Sequence, residues 1–119
     1  MKLPSPDHPI EITTNPKTVR VTFAGKVVAE SRHALALKEA AHPAVQYIPR
    51  ADVRMELLHP TTHASHCPYK GDASYYSIEA GGRSAATAVW SYEKPFPAMA
   101  EITGHLAFYP DRVDWIEEI

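Results

Sequence analysis

Short runs in which apolar and polar residues alternate, separated by prolines and glycines, make up most of this chain. A period of two is the signature of strands with one face turned inward. Val19, Arg20, Val21, Thr22 and Phe23 alternate strictly; Ala24, Gly25 and Lys26 supply a turn, and residues 27–29 resume the apolar character, which predicts a β-hairpin. Residues 45–48 and 53–57 predict two more strands around the break at Pro49 and Arg50, with Val53, Met55 and Leu57 on one face and Arg54 and Glu56 on the other. A second hairpin is expected from residues 73–78 and 85–92, joined through Gly81 and Gly82, whose tolerance of positive φ suits a tight turn. Two prolines in 95–102 cannot continue a ladder, so a loop with one helical turn should precede a strand at 106–109, and residues 113–116 close the sheet. Segment 33–41 stays open: its Ala, Leu, Lys and Glu content favours a short helix, whereas the spacing of Leu35 and Leu37 suits a strand. Residues 59–66 show no alternation and read as a polar, histidine-rich loop.

The pattern therefore predicts a mostly β fold, and 119 residues fit one domain with one real core. Residues 1–10 carry three prolines and read as an arm, with the β domain proper spanning 11–119. A composition of 45% hydrophobic and 22% charged residues is that of an ordinary globular protein. A formal net charge of -2 without a dense Lys/Arg cluster argues against a nucleic-acid partner. No run reaches the length of a membrane-spanning helix or of a signal-peptide core, so a cytoplasmic protein without a membrane partner is expected. The pattern leaves the oligomeric state open.

A single cysteine excludes an internal disulfide and any zinc site built on paired CxxC knuckles. That cysteine opens Cys67, Pro68, Tyr69, Lys70, a sequence with proline in the favoured second place of a turn, so Cys67 and Lys70 should be neighbours. At about 5 Å and an effective dielectric near 20, an ammonium would attract a thiolate by about 3 kcal/mol. Packing is the default reading of Cys67, because free cysteine is among the most buried residue types. His59, His63 and His66 stand before it, but their spacing matches no zinc signature, so neither a metal nor any other cofactor is expected. Trp90 and Tyr92 share one face of their strand, as do Tyr76 and Ile78 on the preceding one. An aromatic-walled pocket with a few converging polar groups is the usual form of a small-molecule site. The expected set is Cys67 and Lys70 as reactive groups, with Tyr69, Tyr75, Trp90, Tyr92 and Glu101 around a ligand, where Glu101 could pair with Lys70 or take a proton.

Cys67 to Gly71, Ala73 with Tyr75, Ala88 to Tyr92 with Pro95, and Gly104 with Phe108 and Tyr109 together resemble the domain-of-unknown-function 427 family, sometimes labelled nucleotidyltransferase-like. Residues 19–31 with the Gly25 turn, and Tyr47, Ile48 and Pro49 followed by Asp52 and Val53, look like its early strands. The resemblance implies two antiparallel sheets leaning over a pocket in a β-tent or Mss4-like topology, and it favours a strand at 34–38. Phosphoryl transfer would need clustered carboxylates and a glycine-rich loop opening a helix, and the chain offers neither. Three functions follow: a β domain binding a small polar or aromatic ligand near Cys67, Lys70 and Trp90; an enzyme using the Cys67 thiolate with Lys70 or a histidine; and a structural or oligomeric module.

Overall fold

The computed structural model describes all 119 residues and contains ten strands, three short 3-10 segments and no α-helix. The strands form three antiparallel sheets. β1 (Ile10–Thr14), β4 (Leu35–Glu39) and β5 (Val45–Tyr47) lie in the order β1-β4-β5, and β2 (Val19–Phe23), β3 (Lys26–Ser31) and β10 (Trp115–Glu118) in the order β10-β2-β3. The third and largest, β6-β7-β8-β9, comprises Leu58–Cys67, Gly71–Ala80, Arg83–Ser91 and Ala107–Phe108. The mostly β expectation holds, with three small sheets in place of two. Single bridges from Ala29 to Val53 and from Ile48 to Leu106 stitch the layers together.

Both predicted hairpins form. In β2 the alternating residues become alternating buried and half-buried positions, as the pleat demands. β7 and β8 pair through the turn at Gly81 and Gly82, with Tyr75 opposite Trp90 and Tyr76 opposite Val89. Adjacent residues on a strand point to opposite faces, so this one hairpin feeds two cores. Tyr76, Ile78 and Val89 join the larger core with Val19, Val21, Phe23 and Leu106. Ala73, Tyr75 and Tyr92 join a smaller one with Leu37, Tyr47, Met99 and Ile102.

Three expectations are corrected or resolved. Segment 33–41 holds strand β4, because pairing with β1 on one side and β5 on the other outweighs intrinsic helix preference. Residues 53–57 are not a strand: 3-10 turns occupy Arg50–Asp52 and Met55–Leu57 around extended Val53 and Arg54, where Arg54 N–H bonds to the Val28 carbonyl. The Asp52 carboxylate accepts from the Ser31 hydroxyl at 2.6 Å, which holds the first turn against β3. The histidine-rich stretch is strand β6 and not a loop. It forms a sheet edge exposed along most of its length, so no inward face imposes alternation on its sequence. A bulge between Pro60 and Ala64 lets the Thr61 hydroxyl bond to the Tyr75 carbonyl in place of a ladder hydrogen bond. The third 3-10 segment, Pro97–Ile102, lies in the loop that its prolines predict. No helix is long and apolar enough to cross a membrane.

Candidate functional site

Between β4–β5 and the β7–β8 hairpin lies a cleft of about 510 Å³. Leu37, Glu39 and Tyr47 come from the first pair of strands, and Tyr75, Trp90 and Tyr92 from the second or its end. Lys70 enters from the β6–β7 turn, and Tyr109 and Pro110 follow β9. His42, Pro43, Ala44 and Pro110 form an exposed rim, whereas Leu37, Tyr47, Lys70, Tyr75 and Tyr92 are buried.

Lys70 is the chemical centre. Residues 68–70 bridge the paired Cys67 and Gly71, and the Lys70 carbonyl accepts from the Phe96 N–H, which fixes the turn against the following loop. Its side chain is 9% exposed; Nζ donates to Glu39 Oε1 at 2.5 Å, lies 3.6 Å from Cys67 Sγ and stands 5.9 Å from the centre of the Tyr92 ring. Glu39 uses its other oxygen for His8 Nε2 at 2.7 Å. Burial pushes the Glu39 carboxyl upward, but hydrogen bonds and charge from Lys70 and His8 prevail and hold it below the ordinary carboxylate range. His8 also stacks on Tyr69, with ring centres 4.1 Å apart and planes 8° from parallel. The Lys2 N–H bonds to the Pro68 carbonyl, so the proline-rich segment lies along the turn that carries Lys70.

The aromatic wall is also polar. Trp90 Nε1 donates to the Tyr47 hydroxyl at 3.2 Å, and the Trp90 ring packs on Tyr109 at 4.4 Å. The Tyr75 hydroxyl pairs with Ser65 Oγ at 2.8 Å. Burial pushes the Tyr47 and Tyr92 hydroxyls well above the usual tyrosine range. Burial, then the neighbouring Tyr75, pushes Tyr109 up to about 12. All three remain protonated and able to donate hydrogen bonds at neutral pH.

The structure thus brings Lys70, Tyr75, Trp90 and Tyr92 to one cleft, with Cys67 half-buried beside it. Tyr69 lies outside, under His8. Glu101 does not reach Lys70: it is exposed on the third 3-10 segment, and the partner of Lys70 is Glu39. The three histidines diverge to separate neighbours, His59 to Glu79 at 3.4 Å, His66 to Asp72 at 2.7 Å and His63 to the Tyr75 ring at 4.5 Å, so His66 is not a base for Cys67. Sequence reasoning missed Glu39, Tyr47, Tyr109 and His8. The signal for Glu39 was present: with 33–41 taken as a strand, Leu35, Leu37 and Glu39 share one face by the period of two.

A small β domain with an aromatic cleft and a buried lysine paired to a half-buried glutamate is the class of molecule that this geometry defines. The chain belongs to the family described as a domain of unknown function (DUF427), whose profile matches residues 11–118. No curated protein matches it significantly.

Proposed function

We propose that this protein binds a small, neutral, planar ligand with an amide-like head in the cleft between β4–β5 and β7–β8. The observation that carries this reading is the charge balance of a nearly buried lysine: Glu39 already neutralises Lys70, so an anion entering the aromatic hollow would meet a carboxylate as well as an ammonium. A neutral carbonyl can accept from the Tyr92 or Tyr47 hydroxyl while an amide N–H faces Glu39, and the flat walls suit a ring. The tent-like topology implied by the family resemblance, with layers leaning over a hollow, agrees with this use of the scaffold. Thiol catalysis is the weaker reading, since Lys70 bonds Glu39 and Cys67 does not line the cleft.

Calorimetric titration with benzamide and benzoate tests the proposal. Benzamide should bind with a Kd of about 1 mM, a common strength for so small a molecule, and more tightly than benzoate. Tyr92→Phe should weaken it about fivefold, the loss of one hydrogen bond. A preference for benzoate, or no saturable benzamide binding at about ten times that concentration, would reject the neutral-ligand reading.

A further inference from the structure

Trp90 also lines a second hollow. A crevice of about 310 Å³ shares Ala44, Val45, Trp90 and Pro110 with the cleft and continues among Val21, Ile48, Phe108 and Ile116. Its character is different. Val21, Ile48 and Phe108 belong to the larger core, and Ile116 packs on that core from the edge strand β10. Of its two polar residues, half-buried Gln46 and exposed Glu118 each accept from Asn15 Nδ2 through one oxygen, at 3.0 and 2.7 Å, which leaves the Gln46 amide donors and the second Glu118 oxygen without a protein partner. The crevice therefore offers a tail the aliphatic and phenyl surface of Val21, Ile48, Phe108 and Ile116, with its polar groups limited to Gln46, Glu118 and backbone.

We infer that this crevice is the tail subsite of the same ligand, which makes the ligand class amphipathic: a planar polar head in the Lys70 cleft and an alkyl or alicyclic tail running past Trp90. The inference rests on the cleft reading above and extends it. Head and tail make different demands, met in two adjoining hollows that share one indole: tyrosine hydroxyls and the Lys70–Glu39 pair in one, aliphatic and phenyl side chains in the other. Polar ligands without a tail would leave the apolar side empty, and apolar ligands without a head would leave the tyrosine donors unmatched.

Calorimetry with a series of 4-alkylbenzamides, from methyl to hexyl, tests this. Affinity should rise about fourfold for each added methylene while the tail enters the crevice, and then level off. Ile116→Phe, which fills the crevice from its edge, should bring the plateau to a shorter chain while leaving benzamide itself unaffected. Ile116→Ala should move the plateau to a longer chain, and benzamide binding by either variant certifies that it is folded. If benzamide binds but the series is flat, or if its rise ignores residue 116, the tail subsite is rejected and the cleft reading stands. If no member of the series binds, the cleft reading falls and the tail subsite falls with it.

Discussion

Two scales of structure converge on Lys70. The turn that places its ammonium near the Cys67 sulfur is local, so that proximity was legible from proline at the second turn position. Its carboxylate partner lies 31 residues away on another sheet, a contact that no local rule reports, and Glu101 was the wrong choice for that reason. The pair also makes a prediction. Lys70→Met leaves the Glu39 carboxylate largely buried with only His8 beside it, and should destabilise the fold by about 3 kcal/mol in urea unfolding. Adding Glu39→Leu should recover most of that loss, since removing both charges avoids leaving one stranded. If the double variant is no more stable than the single one, desolvation of Glu39 is not the cause.

At the level of elements, sequence alternation was informative where a strand has one buried face and silent elsewhere. β2, β7 and β8 were legible because each faces a core; β6 was not, because its edge position leaves it exposed, and β4 was resolved only by its neighbours. The 53–57 error arose because an alternating pattern also fits 3-10 turns that bury little. The two glycines joining β7 and β8 give a quantitative contrast. Both have positive φ, +59° at Gly81 and +77° at Gly82, but a Cβ at Gly81 would lie 3.0 Å from the Ala24 side chain and carbonyl of the other hairpin turn, whereas one at Gly82 meets open space. Gly82→Ala should cost about 1 kcal/mol from backbone strain alone. Gly81→Ala should cost clearly more, about 2–3 kcal/mol, because the Ala24 backbone must also shift. Equal thermal shifts for the two variants would show that the hairpin tips do not bear on each other.

Across the whole molecule, the same buried groups set the pH limits of stability. Glu39 titrates lower in the folded protein than its ordinary 4.5, so its contribution is complete above that value and is lost as pH falls through the folded one. Tyr47, Tyr92 and Tyr109 titrate above the ordinary 10.0. Beyond that pH the unfolded chain sheds protons that the folded chain keeps, and stability declines. Urea midpoints should therefore fall on both sides of a neutral plateau, and Tyr92→Phe should soften the alkaline decline. An unchanged alkaline limb in that variant would place the titrating hydroxyls elsewhere.

The two tryptophans stand in contrasting places: Trp115 is 61% exposed on an edge strand, and Trp90 lines both the cleft and the adjoining crevice. Replacing Trp115 with phenylalanine would leave one indole whose emission colour and quenching respond to either compartment being filled. The protein would then carry its own optical gauge of occupancy, needing no attached dye.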